Sequence, residues 1–261
     1  MAKKIAVCLL ALLLSCPAAL ADMTVERNEG EAYYPNEKNW VYHFTYAYPH
    51  LIGDSYTVAL INDTYEMALD EVKDIALPMF ANAPDMRYDG KNEVSHDFSV
   101  VCNTPRLLSI LLRQSQTVGE EGVRLTLEAQ TFNVDGETEG DLLTLRGVIL
   151  MLSGVATDRL YGEVTAEDAP SLPRIVAGSS DGIGEALLPV LYAEFQRMQE
   201  TGAAPADAAY EDFEAEFLPT RDFYALPDGR VAFFFPPMLL REPSFDVPVF
   251  PFTPEELEAL L

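Results

Sequence analysis

Residues 178–182 match the G-x-S-x-G pattern of serine hydrolases, in which the central serine attacks an acyl group. They lie between a short β-like run at 174–177 and a helical stretch, which is the context that a nucleophilic serine needs. In that fold the activating histidine follows the serine, whereas His43, His50 and His96 all precede it. The pattern therefore favours a serine helix cap with glycines in a turn.

The other reactive side chains do not form a recognisable metal or thiol site. The three histidines are dispersed, and the chain contains neither H-x-x-x-H nor C-x-x-C. Residues 133–141 resemble a calcium-binding loop only faintly, because the glycine is misplaced. Cys102 lies in an alternating apolar stretch and is expected to be a buried structural thiol. We predict no catalytic residue, no metal site and no cofactor.

The acidic side chains leave one enzymatic alternative open. The chain has 42 Asp and Glu against 17 Lys and Arg, a formal charge of −25. Paired carboxylates for a polysaccharide hydrolase of the cell envelope could be drawn from so many acids, although no pair is singled out. The same charge argues against nucleic acid as a partner, because nucleic-acid binding needs Lys and Arg at phosphates. Cationic partners are favoured instead.

The first 21 residues are typical of an export signal. Lys3 and Lys4 precede an apolar run at 5–14 that is too short to span a bilayer, and a small-x-small site predicts cleavage between Ala21 and Asp22. Lipid attachment at Cys16 is the alternative, since 13–16 resembles a lipobox. Cleavage removes two of the basic residues and none of the acids, which leaves a charge of −27. We expect a secreted, periplasmic or lipid-anchored protein without a transmembrane segment in the mature chain.

Beyond the signal, the hydrophobic pattern predicts an α+β fold with a mainly antiparallel sheet and two closely associated halves. Residues 22–39 are polar and are expected to form a flexible leader. The N-terminal half spans 40–155 and the C-terminal half 156–261. The predicted elements of the first half are a strand at 40–48 ended by Pro49, a helix at 55–80 ended by Pro78, strands at 94–102, 107–116 and 123–134, and a segment at 142–152 that turns helical after Leu145.

The C-terminal half has clearer local signals. Helices are expected at 183–199 and 207–217 from their apolar spacing. The Asp228-Gly229 pair predicts a hairpin between strands at 222–226 and 231–235, and 245–252 is expected to form an edge strand. Thr253, followed by Pro254 and Glu256, predicts a capped final helix.

The C-terminal motif resembles a bacterial family, the domain of unknown function 3298. The resemblance is carried by Phe-Tyr-Ala-Leu-Pro-Asp-Gly-Arg-Val-Ala-Phe-Phe-Phe-Pro-Pro at 223–237, Val-Pro-Val-Phe-Pro-Phe at 247–252 and Glu-Glu-Leu at 255–257. The N-terminal half is similar to the partner domain numbered 4163, through Tyr-Ala-Tyr-Pro at 46–49, Phe-Asn-Val-Asp at 132–135 and Leu-Leu-Thr-Leu at 142–145. Together these domains form the extracytoplasmic part of the anti-sigma factor RsiV and an accessory region of the deacetylase PdaC.

This resemblance implies an exported, non-catalytic binding or sensor module. RsiV-like domains bind lysozyme, so the implied partner is a cationic protein such as lysozyme, or a cell-wall component. No transmembrane helix and no sigma-binding segment are recognised, so the chain does not correspond to a whole anti-sigma factor. The loop after the Phe-rich strand offers the predicted contact residues, Met238, Leu239 and Leu240 with Arg241 beside them. These apolar side chains form either an exposed contact patch or, as the favoured alternative, ordinary packing of the loop over the sheet.

Overall fold

The computed structural model describes residues 23–82, 91–117, 122–135, 140–160 and 162–261. The predicted signal at 1–21, with its cleavage and lipidation sites, lies outside the described residues. The fold is α+β, as predicted, with a five-stranded sheet of order β1-β2-β3-β4-β5 and a three-stranded sheet of order β6-β7-β8. No helix in the described ranges is both long enough and apolar enough to span a bilayer.

The segment predicted as a flexible leader instead forms the first strand. β1 (Thr24–Tyr34) pairs antiparallel with β2 (Tyr42–Ile52) along its whole length. Its side chains are mostly exposed because it is an edge strand, so its sequence lacks the alternation that reveals a half-buried strand. The leader prediction is therefore wrong for residues 24–34.

Two prolines did not end the elements that they were expected to end. β2 continues past Pro49, which is tolerated because β3 pairs with β2 only at 42–46 and leaves one edge open there. α1 (Tyr56–Asp70), capped by the Ser55 side chain, continues through a π-helical turn, Glu71–Ala76, into α2 (Leu77–Asn82). The Leu77 amide donates to the Val72 carbonyl, five residues earlier, and a turn of this width accommodates Pro78, which has no amide to donate.

The remaining strands of the large sheet follow the apolar stretches of the sequence. They are β3 (Asn92–Asn103), β4 (Leu107–Thr117) and β5 (Val123–Asn133). β3 pairs parallel with β2, while β3–β4 and β4–β5 are antiparallel. β5 is thus the second edge strand of the sheet. The first core lies between one face of this sheet and α1, and includes Phe44, Ile61, Tyr65, Leu108 and Ile110.

After β5 the chain forms the helices and the small sheet of the C-terminal half. A capping box at Thr253 and a hairpin at Asp228-Gly229 confirm the sequence predictions, and Gly229 has the positive φ of 87° that this turn requires. The elements are α3 (Leu145–Leu152), α4 (Thr157–Leu160), α5 (Pro173–Ala177), α6 (Ser180–Thr201), α7 (Tyr210–Glu216), β6 (Phe223–Ala225), β7 (Val231–Phe234), a 3₁₀ turn (Pro237–Leu239), β8 (Val249–Phe252) and α8 (Pro254–Leu260).

An aromatic cluster forms the centre of the second core. The rings of Phe195, Phe213, Phe217 and Phe235 lie with centroids 5.1 to 6.0 Å apart, mostly tilted or edge to face. Such pairs stabilise a core beyond their buried area. This cluster fixes α6 and α7 against the segment that leaves β7.

A third, smaller cluster joins the two sheets. Leu111 of β4 and Leu127 of β5 pack with Tyr224, Ala232 and Phe234 of the small sheet. The Ala225 amide also donates a hydrogen bond to the buried Ser109 hydroxyl, 3.2 Å away. These contacts place β6 and β7 over the second face of the large sheet, next to its β5 edge.

A half-buried histidine, His96, makes the first core sensitive to acid. The Tyr48 hydroxyl lies 2.6 Å from His96 Nδ1, the geometry of a hydroxyl donating to a neutral imidazole. Burial lowers the pKa of His96 from 6.5 to about 4 and raises that of Tyr48 to about 12. The folded protein therefore resists protonation of His96 in a pH range where the unfolded chain accepts a proton.

We expect the free energy of unfolding to decrease as the pH falls from 6.5 towards 4. The unfolded state binds the extra proton in this window, and the His96 contribution amounts to about 2 kcal/mol between roughly pH 7 and 5. Urea unfolding at both pH values measures it. The His96→Gln variant should lose this part of the pH dependence, and an unchanged dependence in that variant would contradict the assignment.

Candidate ligand-binding cleft

The two serines of the G-x-S-x-G motif are engaged in helix caps. Ser179 Oγ accepts from the Gly182 amide, 3.1 Å away, and Ser179 is the N-cap of α6, which confirms the cap prediction. Ser180 Oγ accepts from the Arg146 amide at 3.2 Å. The run at 174–177 that was expected to be β-like is instead helix α5.

The histidines lie on the large sheet, in separate settings. His43 stacks on Tyr33 with centroids 4.4 Å apart, and its Nε2 lies 3.1 Å from a Glu31 oxygen. His96 is paired with Tyr48, as above. Cys102 is buried, as predicted. Within the described ranges, no three His, Cys, Asp or Glu side chains come together as metal ligands.

The predicted contact patch is only half exposed. Met238 is 47% exposed and Arg241 is also on the surface, whereas Leu239 and Leu240 are buried at 3% and 9%. The 3₁₀ turn directs Leu239 into the second core. The packing alternative is therefore confirmed for Leu239 and Leu240, the contact patch is wrong for these two residues, and Met238 is the apolar side chain of the loop that faces outward.

Met238 borders a cleft of about 690 Å³, within the range of ligand sites. One wall is β5, where every residue from 124 to 131 lines the cleft. The other wall comes from the C-terminal half, and Leu142 and Leu143 lie at one end. The lining residues of the second wall are Glu216, Thr220, Arg221, Phe223, Pro236, Pro237 and Met238.

Hydrogen bonds at the end of β5 establish which of its backbone groups face the cleft. The Asn133 amide donates to Asp141 and the Leu143 amide to Thr131, at 2.9 and 2.8 Å, around an isolated bridge between Phe132 and Leu142. Residues 131 and 133 thus bond away from β4. Since the direction alternates along a strand, Leu125, Leu127 and Ala129 direct their N–H and C=O groups to the same open side. No partner for these six groups occurs among the described residues.

The opposite wall is unable to close this edge by pairing with it. Pro236 and Pro237 lack N–H groups, and their carbonyls already accept from Leu239 and Leu240 at 3.0 and 3.1 Å. At Pro236 and Pro237 the wall that faces β5 therefore has no backbone N–H to donate to the strand. The cleft keeps a polar backbone edge on one side and a largely apolar surface on the other.

Two arginines lie in the cleft, but they differ in their partners. Arg221 donates from Nε and Nη2 to the buried Asp222 carboxylate, at 2.7 and 2.8 Å, and the Leu218 amide donates to the same group. Burial raises the pKa of Asp222, against the opposing effect of these bonds, while the carboxylate raises the pKa of Arg221. Arg124 is exposed, with no ion pair among the described residues.

Two carboxylates complete the polar lining. Glu128 Oε1 accepts from Gln130 Nε2 at 2.7 Å, and Glu216 is exposed at the end of α7. Neither forms an ion pair with a described residue, and Gln130 Oε1 is buried without a hydrogen-bond partner in that part of the chain. Arg221 is bound to Asp222 and is also attracted by Glu216 and Glu128 at longer range. With Asp222 and Arg124 included, the described residues at the cleft therefore supply three carboxylates against two guanidinium groups.

Of these cleft residues, the sequence singled out Met238 alone. They come from segments about ninety residues apart, and each segment looks ordinary by itself. Two sequence features lie at the cleft: Pro236-Pro237, which follows the Phe-rich strand, and the short segment between β5 and α3. Neither feature predicts a cleft from the sequence, because the cleft forms only where β5 packs beside the C-terminal half.

Comparison with known proteins provides structural neighbours of low sequence identity. No protein-family model matches the sequence, and no curated protein matches it either. A crystal structure of a domain of unknown function 3298 family member from Bacteroides fragilis matches with 12% identity and a TM-score of 0.46, covering 92% of this chain and 94% of that chain. A second, from Pseudomonas aeruginosa PAO1, matches with 13% identity and a TM-score of 0.47, covering 90% and 92%.

Both neighbours carry the family description that the C-terminal motif resembles. The 4163-like half and the link to RsiV and PdaC have no counterpart in these comparisons and stay predictions.

We expect Arg221→Met to destabilise the fold by about 2 kcal/mol, because it leaves the Asp222 carboxylate buried without its charged partner. Arg124→Met, on the same cleft and without an ion pair, is the matched control and should change stability by less than about 0.5 kcal/mol. Urea unfolding of both variants at neutral pH makes the comparison. Equal stability of the two variants would show that the Arg221–Asp222 pair is not structural.

Proposed function

We propose that this chain is a non-catalytic binding module, and that its ligand is a segment of a cationic protein that enters the cleft. The observation that carries the proposal is the unpaired edge of β5 on one wall of a ligand-sized cleft. Backbone donors and acceptors beside an apolar wall suit recognition of a polypeptide. These backbone groups can bind a polypeptide by hydrogen bonds, and such binding needs no reactive side chain.

Charge supports a cationic partner at two scales. The whole chain has a charge of −25, which attracts cations over long distances and accelerates encounter. Within the cleft, Glu128 and Glu216 form no ion pair with a described residue, Arg221 is bound to Asp222, and Arg124 is the one guanidinium without such a pair. A basic segment would therefore find acceptors at the site itself and not only in the surrounding field.

The predicted export signal at 1–21 supports this proposal. We infer that the protein acts outside the cytoplasm, either secreted after cleavage at Ala21 or lipid-anchored at Cys16. Extracellular cationic proteins, such as the lysozyme to which RsiV-like domains respond, are then natural first partners to test. A cell-wall component is the other ligand of the same compartment.

We expect the Glu128→Gln/Glu216→Gln double variant to weaken lysozyme binding by about tenfold at low ionic strength, since it removes both free carboxylates of the cleft. Glu66→Gln/Glu71→Gln, on exposed positions of α1 and of the π-helical turn that follows it, removes the same charge from outside the cleft and is the matched control. Calorimetric titration at about 20 mM salt, where exposed charges are least screened, measures both. Equal losses would assign binding to bulk charge, and no binding by the parent protein would contradict the cationic partner.

A polysaccharide hydrolase is the second candidate, favoured by the presence of Glu128 and Glu216 in one cleft. It predicts that the protein releases soluble fragments from purified peptidoglycan and that Glu128→Gln abolishes the release. The binding module predicts no release by either form. Chromatography of the supernatant separates the two hypotheses.

A further inference from the structure

We propose that the ligand binds by strand addition, as an extended segment of a cationic partner that pairs with the open edge of β5. This inference rests on the function proposed above and specifies how the cleft holds its ligand. The pairing groups are the N–H and C=O of Leu125, Leu127 and Ala129, which face the cleft. An added strand would extend the five-stranded sheet by one.

The protein already pairs one short piece of its own chain with this edge. The Leu142 segment bonds to β5 through Thr131 and Asn133, then turns away because Thr144 caps α3, with its side chain accepting from Gly147. The outer edge of β5 is therefore able to form strand hydrogen bonds, and in the part of the chain that the structure describes the Leu142 segment covers only its C-terminal end. The uncovered part, 123–129, spans about 20 Å, which an extended segment of six or seven residues would match.

The other possible occupants are less well suited to this edge. The 236–238 wall has no donors at its two prolines. A second copy of the chain would bring another formal charge of −25 against the first, and edge pairing of like-charged copies is opposed by their repulsion. A basic segment has the opposite sign and meets the unpaired Glu128 and Glu216.

The faces of β5 predict an alternating ligand. Phe132 packs in the first core and Leu127 in the cluster that joins the sheets, so even and odd residues of β5 face opposite sides. An added strand would share this alternation. One set of its side chains would lie beside Glu128 and the unpaired Gln130 oxygen, which suits Lys or Arg. The other set would lie beside Leu127 and Ala129, which suits small or branched apolar residues.

A synthetic peptide of about eight alternating Lys and Val residues tests this mode directly. Two analogues are needed, one N-methylated at every Lys and the other at every Val, because the amides of alternate residues in a strand face opposite edges. We expect one analogue to lose at least tenfold in affinity and the other to bind like the parent peptide. Equal affinities of the two analogues would overturn strand addition. If both then bind as tightly as the parent peptide, the proposed ligand-binding function survives without strand addition.

Substitution of the protein gives the second arm of the experiment. Ala129→Pro removes an amide that faces the cleft and no bond to β4, so the fold should persist, as thermal unfolding would show, while peptide affinity falls at least tenfold. Leu125→Pro, closer to the start of the strand, repeats the test if the first variant fails to fold. Undiminished binding by folded variants would contradict strand addition. If the parent protein binds neither the peptide nor lysozyme at low salt, the proposed function fails as well.

Discussion

Backbone amides and carbonyls need hydrogen-bond partners wherever water is partly excluded, and this requirement governs the edge of any β-sheet. In this protein β5 meets the requirement on the β4 side along its whole length, but on its outer side the described residues pair with it only near Thr131 and Asn133. Leu125, Leu127 and Ala129 face a cleft instead of open solvent. The binding proposal depends on these backbone groups, which have no hydrogen-bond partner among the described residues.

Several features of the fold keep the outer edge of β5 open. The segment that follows β5 pairs with it at one bridge, between Leu142 and Phe132. It then leaves the sheet, because Thr144 caps the N-terminus of α3. The opposite wall presents Pro236 and Pro237, which lack amide donors. The cluster of Leu111, Leu127 and Phe234 holds the small sheet beside β5, so the cleft is held open by packing rather than by the edge itself. Each of these features prevents another segment of the same chain from pairing with the outer edge of β5. The strongly negative charge opposes pairing between two copies of the protein.

Much of the fold was predictable because its signals are local. Thr253 with Glu256, Asp228-Gly229 and the helical spacing of 183–199 each specify an element within a few residues, and the structure has all three. β1 was missed because an exposed edge strand needs no apolar alternation. For Leu239 and Leu240 the sequence left surface contact and packing open, because composition does not reveal which way a 3₁₀ turn points. The cleft escaped prediction since it exists only where β5 meets a wall formed by a distant segment.

The central claim concerns free amides, and amide hydrogen exchange of the unliganded protein tests it most directly. If the edge is open, the amides of Leu125, Leu127 and Ala129 exchange rapidly, while those of Thr126, Glu128 and Gln130, which face β4, are protected. An alternation of fast and slow exchange along β5 is the predicted result. Uniform protection from 125 to 130 would show that the edge is already covered, and it would contradict the account.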